Sequence, residues 1–278
     1  SSHLREVMGP RVRAPARAAG ATRVRAKPAR AAVGRSQGGG DCDGLASLKL
    51  LHVTKCAGTS LEAWALSQRC RWGRRWPVLR VSACEADGLR PPHEGRLRSE
   101  WWHVPPRFFC QDPYAGFDTF VVVRCPYRRA ISEFRCPWKG FQAPARPGSE
   151  RSQRRKEATA EDLNVWLQAK LRAGASRPPF SNGHWIPQHF YIWDETDRRC
   201  VAASHVLRLE ELGRSFRALL QCYGLRDPPP LQVLNESEMR SFSTDDLEAP
   251  TRALIEECYA EDFERLGYAK LRLEDLPK

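Results

Sequence analysis

Apolar residues in this chain fall into two patterns, short continuous runs and longer stripes at a spacing of three and four. Leu48, Leu50, Leu51 and Val53 make a compact run that stops at Thr54-Lys55-Cys56-Ala57-Gly58-Thr59-Ser60. Leu61, Trp64 and Ala65 then follow at helical spacing, so this stretch predicts strand, loop and helix in that order. A second unit begins at Phe117. Phe120-Val121-Val122-Val123 is apolar at consecutive positions, hence on both faces, as a buried parallel strand requires. It ends at Arg124-Cys125-Pro126, where Pro126 suits the first turn of a helix. In that helix Tyr127, Ala130, Ile131 and Phe134 form one stripe, which leaves Arg128 and Ser132, one turn apart, on another face.

Downstream, Leu163, Trp166, Leu167 and Leu171 predict a helix closing near Gly174, and Val206, Leu207 and Leu209 a short strand. Leu212, Phe216, Leu219, Leu220 and Tyr223 predict an amphipathic helix ended by Gly224. A last helix is predicted from an N-cap at Ser243, with Asp246 three residues on. Its stripe is Leu254, Ile255, Cys258, Tyr259, Phe263 and Leu266, and its stop is Gly267. Strands alternating with helices argue for an α/β layer fold around a mostly parallel sheet, as one domain over residues 45–278.

Charge changes the picture at the N-terminus. Residues 1–40 are rich in Arg, Ala and Gly and hold eight Arg and one Lys against a single Glu. Eight of the chain's twelve excess positive charges therefore lie there, and the body is only mildly basic. Such a composition cannot offset its ordering entropy, so residues 1–44 are expected to form a disordered tail, with some likeness to an organelle transit peptide. With the tail set aside, nucleic acid is not an expected partner. The chain starts without Met and reads as a processed or partial form. No window approaches the roughly 18 apolar residues of a membrane span, so any membrane attachment would come through an anchor upstream.

Ten cysteines include no CxxC pair and no Cys/His cluster at zinc-ligand spacing, and no metal is expected. Their number leans toward several disulfides made in an oxidising compartment, with scattered buried thiols as the alternative. Asn235-Glu236-Ser237 has the form of a glycosylation sequon.

Lys55 through Ser60 carry candidate chemistry. A loop between a buried strand and a helix offers backbone N–H groups and a positive dipole end to an anion. Gly58 permits close approach, Thr59 and Ser60 add hydroxyls, and Lys55 supplies a point charge. The order is not that of a Walker A loop, which places Lys after the second Gly. The bland alternative is a Thr-capped helix with an incidental Lys. At the second strand end Arg124, Arg128 and Ser132 supply two cations and a hydroxyl, suited to a dianionic phosphate. The bland alternative there is a solvated basic face through Arg128 and Arg129. Two such turns in one sheet would hold a ligand phosphorylated at both ends.

These residues resemble a known family. Lys55-x-x-Gly58-Thr59-Ser60 is similar to the 5′-phosphosulfate loop of the sulfotransferases that use 3′-phosphoadenosine 5′-phosphosulfate (PAPS), with Cys56 and Ala57 completing the loop. The stretch from Val122 to Phe134 is similar to their 3′-phosphate signature, in which an Arg and a Ser eight positions later grip the phosphate. Leu207–Leu212 and Tyr259–Tyr268 are similar to later segments of the Golgi carbohydrate branch. Cys56 and Cys125 depart from the family's usual residues without removing a phosphate contact. The resemblance covers about residues 48–268 and implies a P-loop-containing three-layer α/β fold.

It also implies a mechanism. Lys55 would neutralise the bridging oxygen, Gly58, Thr59 and Ser60 would hold the 5′-phosphate, and Arg124 and Ser132 the 3′-phosphate, with PAPS as co-substrate and no metal; Arg128, the second cation of that turn, is counted with them as cofactor-binding. Family members place a His or Glu base between the two phosphate segments, and His93, Glu94, Glu100 and His103 lie there. His103 is the expected base because imidazole titrates near neutrality and Trp101, Trp102, Pro105 and Pro106 suit a fixed wall; Glu100 is the alternative. A His-Trp loop lies near the active site of the resembling carbohydrate enzymes, so His184, Trp185 and Gln188 are assigned to acceptor or nucleotide contact. The acceptor is expected to be a carbohydrate-type hydroxyl, and the location the Golgi lumen or secretory pathway. Two rivals are a Mg²⁺-dependent kinase-like phosphotransferase and a non-enzymatic polyanion binder acting through its Arg-rich tail.

Overall fold

The computed structural model describes residues 22–23, 43–78, 100–106, 109, 112–142, 157–175, 183–193, 203–234 and 241–271. Three strands run parallel: β2 (Leu48–Leu51), β3 (Asp118–Val123) and β4 (His205–Arg208). A two-residue strand, β1 (Thr22–Arg23), pairs antiparallel with β4, so the sheet order is β1-β4-β3-β2. This pairing falls inside the segment expected to lack structure. A helical turn, α1 (Asp43–Ala46), leads into β2.

Central β3 lies between β2 and β4, with Leu51 opposite Val121 and Val123 opposite Arg208. Its run from Thr119 to Val123 is buried at every position, which explains why the sequence is apolar throughout rather than alternating. Helices flank the sheet: α2 (Gly58–Ser67) follows β2, α3 (Pro126–Phe134) follows β3, and α5 (Leu212–Cys222) follows β4. Further helices among the described residues are α4 (Ala160–Ala175), α6 (Ala249–Cys258) and α7 (Ala260–Leu266). The fold is thus the α/β arrangement with a parallel sheet that the alternation predicts.

Two apolar cores divide the interior. The first encloses the sheet with α2 and α5, and at its centre Trp72 meets Phe120 and Trp64 meets Phe216 edge-on at 4.9 and 5.1 Å. The second is made by α3, α4, α6 and α7, with Tyr127, Phe134, Leu163, Ile255 and Phe263 buried in it. Asn164 of α4 ties it together, donating to the Asp246 carbonyl at 2.8 Å and accepting from the Glu248 N–H at 2.9 Å.

The C-terminal helix differs from the single element predicted. Ser243 caps only a 3₁₀ turn over Thr244–Asp246, in a capping box with Asp246, after which Leu247 is extended. Pro250 then opens α6, and Tyr259 leaves helical geometry before α7 begins. Proline lacks the N–H that a continuous helix would need there, so the chain restarts at it. Gly267, at φ +65°, stops α7 as expected. Among the described residues no disulfide joins two cysteines, and Cys56, Cys125, Cys222 and Cys258 are thiols. Cys42, Cys84, Cys110, Cys200 and the sequon lie outside the described residues. No helix among the described residues is long and apolar enough to cross a membrane.

Candidate active site

Parallel neighbours β2 and β3 end on the same edge of the sheet, so the turns that follow them are side by side. The first is strained. Lys55 and Ala57 both adopt the left-handed region, at φ +63° and +61°, which costs a non-glycine residue roughly 1–2 kcal/mol. Ala57 is the N-cap of α2 and, among the described residues, no side chain bonds the first helical N–H groups, which overturns the reading of a Thr-capped helix. Their donors are left for water or an anion. The Lys55 side chain is half-buried and its ammonium forms no ion pair among the described residues.

Gly58 is where α2 passes closest to its support. A Cβ there would lie 2.0 Å from His52 Nε2. His52 Nδ1 bonds Glu62 Oε1 at 2.7 Å, and the Arg74 Nε pairs with Glu62 Oε2 at 2.8 Å. His52 and Glu62 are buried, so this trio, with Glu62 on α2 and Arg74 in the turn beyond it, fixes the underside of the lysine turn. Cys56 points inward as well: its Sγ faces the Gln188 Oε1 at 3.5 Å, and burial pushes its thiol up to about 12. Its place in the loop is therefore through its backbone. The Ser60 hydroxyl accepts from the Leu234 N–H at 3.0 Å, and Thr59 is half-buried.

The second turn is held by side chains from distant segments. The Arg124 N–H donates to Gln188 Oε1 and its carbonyl accepts from Gln188 Nε2, each at 2.8 Å. The Cys125 N–H donates to Glu210 Oε1 at 2.9 Å, and the Tyr268 hydroxyl donates to the other oxygen of Glu210 at 3.1 Å. The Arg124 guanidinium donates to the Lys55 carbonyl at 3.3 Å, so the two turns touch. Burial lowers the Arg124 pKa, partly offset by Cys56 and Glu210, and Arg124 makes no ion pair with a carboxylate among the described residues. A half-buried guanidinium without a carboxylate is a natural anion acceptor. Arg128 is exposed and Ser132 half-buried on the same helix.

Between the turns lies a buried polar cluster. The Thr54 hydroxyl lies 3.2 Å from both Glu133 Oε1 and the Gly183 carbonyl, and accepts from Arg129 Nη2 at 3.1 Å. Arg129 also donates to the carbonyls of Thr54 and His184, at 3.3 and 3.1 Å. Burial opposes its charge, but Tyr259, Cys56, Glu133 and Asp262 outweigh that and hold it firmly protonated. His184 Nδ1 meets Glu133 Oε2 at 2.6 Å. The His103 ring stands edge-on to His52 at 4.8 Å and to His184 at 5.8 Å, so three imidazoles line up from the lysine turn to the arginine helix.

The sequence-predicted residues therefore fall into groups. Lys55, Gly58, Thr59, Ser60, Arg124, Arg128 and Ser132 belong to the two adjoining turns and their helices. His103 and His184 meet between them. Gln188 is fully buried, with its amide spent on Arg124, Cys56 and Asp262, so it braces the arginine turn from inside. Trp185 packs on Trp166, with ring centroids 5.8 Å apart, at the rim of the second core. His93 and Glu94 lie outside the described residues; Glu100 accepts from the His103 N–H through its carbonyl at 2.8 Å.

Sequence reading missed Thr54, Arg129, Glu133, Glu62 and Asp262. Arg129 is 2% exposed, which overturns the solvated-face reading for it while Arg128 stays outside. Helical periodicity gave no signal of this, because at about 100° per residue Arg129 falls on the face roughly opposite the Tyr127, Ala130, Ile131 and Phe134 stripe. Asp262 is completely buried and accepts from the N–H groups of Gln188 and His189 and from His189 Nδ1, at 2.8–2.9 Å.

Comparison with known proteins fits this geometry. The model of the sulfotransferase family matches residues 46–269, from the start of β2 through the end of α7. Neither a search of curated proteins nor one of solved structures returns a match. With more than half of its length matched, and with the matched stretch spanning both cationic turns, the chain belongs to the sulfotransferase family.

Proposed function

We propose that the protein transfers the sulfuryl group from PAPS to a hydroxyl of a carbohydrate-type acceptor. One observation carries this reading: two cationic turns, neither compensated by a carboxylate ion pair among the described residues, adjoin at neighbouring strand ends through the Arg124–Lys55 contact of 3.3 Å. Such a pair suits a nucleotide with phosphate at both ends. In this reading the first-turn N–H groups of α2 with Thr59 and Ser60 hold the 5′-phosphate, and Arg124, Arg128 and Ser132 hold the 3′-phosphate.

Transfer forms a bond from the acceptor oxygen to sulfur and breaks the bond from sulfur to the bridging oxygen of the donor. The acceptor proton passes to a base, and Lys55 neutralises the charge that grows on the leaving phosphate. His103 is the proposed base. A second reading is favoured by a specific contact: the 2.6 Å bond from His184 to Glu133 gives that imidazole an orienting carboxylate, as general bases commonly have. The carbohydrate class of the acceptor and a place in the Golgi lumen are part of the proposal.

A transfer assay with radiolabelled PAPS against a panel of glycans and small alcohols tests it, alongside calorimetric titration with 3′,5′-ADP. Labelled glycan and ADP binding that survives EDTA support the reading. Mg²⁺-dependent ATP binding without sulfate transfer would replace it with phosphoryl transfer, and full function without Lys55 would replace it with polyanion binding. His103→Ala and His184→Ala, each retaining ADP affinity, separate the two bases by which one loses turnover.

A further inference from the structure

Cys136 follows α3 directly and takes no part in either cationic turn, yet its thiol sits against the buried polar cluster. Ligand atoms of Glu133, Cys136 and His184 all lie within 4.8 Å of one another. Glu133 and Cys136 are each 2% exposed, and His184 forms the side nearer to solvent, with 12% of its side chain exposed. We propose that these three side chains bind a thiophilic divalent cation, Zn²⁺ above all, and that the bound ion switches sulfate transfer off. The cation-binding half stands on the geometry alone; only the inhibitory half rests on the proposed function.

The donor set decides the class of ion. One thiolate, one imidazole and one carboxylate make a borderline-soft set that suits Zn²⁺ and rejects Mg²⁺ and Ca²⁺, which take oxygen ligands in larger number. Three protein ligands are what an open tetrahedral zinc site uses, with water in the fourth position. Bonds of about 2.0–2.3 Å at tetrahedral angles separate ligand atoms by roughly 3.5 Å. The atoms here, within 4.8 Å of one another, therefore close in by at most about 1.3 Å on the Cys136 side. The Glu133–His184 pair, now 2.6 Å apart, opens by a similar amount.

The local structure favours that adjustment. Glu133 and Cys136 are three residues apart at the end of α3, where the Cys136 N–H donates to the Glu133 carbonyl at 3.0 Å, so both side chains leave the same turn. Glu133 Oε1 is already held by the Thr54 hydroxyl, which leaves Oε2 as the ligand and supplies the outer hydrogen bond that zinc carboxylates ordinarily have. Binding replaces the proton shared by His184 and Glu133 and that of the Cys136 thiol, so protons are released as the ion enters. Arg129, bonded to the same Thr54, keeps its charge nearby and limits affinity. The site is accordingly one for regulation by ion concentration rather than for a permanently held cofactor. Once bound, the ion takes the His184 imidazole and its carboxylate together and stands beside His103, whose ring centroid is 5.8 Å from that of His184.

Cobalt is the probe. Full-length protein dialysed against EDTA and titrated with Co²⁺ should show, at one equivalent, the near-ultraviolet thiolate-to-cobalt band and the visible bands of a tetrahedral site, both erased by Zn²⁺. Cys136→Ser should lose the thiolate band and require about 10-fold or more Zn²⁺ for inhibition, while keeping sulfate transfer without metal. Cys222→Ser, at an exposed position away from the cluster, should keep the band. Absence of the band in the wild-type protein, or its survival in Cys136→Ser with unchanged Zn²⁺ sensitivity, overturns the proposal. Should Cys136→Ser melt early, Cys136→Ala read by the same band decides the question in its place. A cobalt band in a protein that transfers no sulfate would leave the cation site standing and remove the proposed function instead.

Discussion

The two turns that follow β2 and β3 present their cations at one edge of the sheet by opposite means. The lysine turn is built locally. Its shape comes from two residues forced to positive φ and from Gly58 pressed against His52, and His52 is braced by Glu62 within the next helix. The arginine turn has an ordinary local conformation, with Pro126 at the head of α3, and is held from afar by Gln188, Glu210 and, behind them, Asp262 and Tyr268. One turn stores strain in its backbone; the other borrows order from segments more than 60 residues downstream. The lysine turn should therefore tolerate loss of its functional side chain without structural cost, whereas the arginine turn should fail when a residue that touches no ligand is removed.

Lys55 gives the largest expected effect. Lys55→Gly removes the ammonium and at the same time relieves a residue at φ +63°. Sulfate transfer should fall by about 10²–10³-fold, the range seen when one stabilising donor is lost, while the thermal midpoint stays level or rises. Lys55→Ala should lose as much activity without the gain in stability. Kinetics and calorimetry on the two variants check both halves.

Gln188 tests the other side. Gln188→Leu keeps the volume but leaves the Arg124 N–H and carbonyl without partners, at about 1–3 kcal/mol for each group left buried and unsatisfied. The protein should lose roughly that much stability by urea denaturation. Its affinity for 3′,5′-ADP should fall as well, because Arg124 is no longer fixed. A variant that melts normally and binds ADP normally would show that the arginine turn holds itself.

That contrast also explains what the sequence disclosed. The lysine turn was legible because its determinants are contiguous: an apolar run, a small polar loop and a helical stripe within twenty residues. Strand β3 and the first turn of α3 were legible for the same reason. Gln188 was picked out from its loop, but its role was hidden, since nothing local says that its amide completes the backbone of Arg124. Glu133 and Asp262 were invisible because a buried carboxylate looks like a surface one until its partners, 51 and 73–74 residues away, are placed. The C-terminal helix was over-extended because a 3.6-residue stripe persists through the break at Tyr259.

A third effect, smaller per step, sets the buried thiol of the lysine turn against pH. Burial raises Cys56 from 9.0 to about 12, so the folded protein keeps a proton that the unfolded chain gives up. The stabilisation is fully present below pH 9 and is lost as pH climbs toward 12, at about 1.4 kcal/mol per pH unit. Tyr191 and Tyr259, also pushed up by burial, add to the same alkaline decline. Cys56→Ala should flatten the slope of stability against pH between 9 and 11 by that one group's share. An identical slope in wild type and variant would mean that the thiol is not shielded in solution.

The smallest effect distinguishes two adjacent arginines on α3. Arg129 is bonded to Thr54 and to the His184 carbonyl in the interior, whereas Arg128 stands in solvent. Arg128→Ala should change stability by no more than about 0.5 kcal/mol, the usual limit for a surface site without special contacts. Its charge nevertheless faces the same anion as Arg124 in the proposed complex, so ADP affinity should drop about 1.4–5-fold, corresponding to the 0.2–1 kcal/mol of an exposed ion pair. Because the pair is exposed, that difference should shrink as salt is raised and disappear near 1 M, where the screening length is about 3 Å. A salt-independent loss would instead mean that Arg128 is drawn into the site when the nucleotide binds, and the arginine turn would then be partly assembled by its ligand rather than wholly by Gln188 and Glu210.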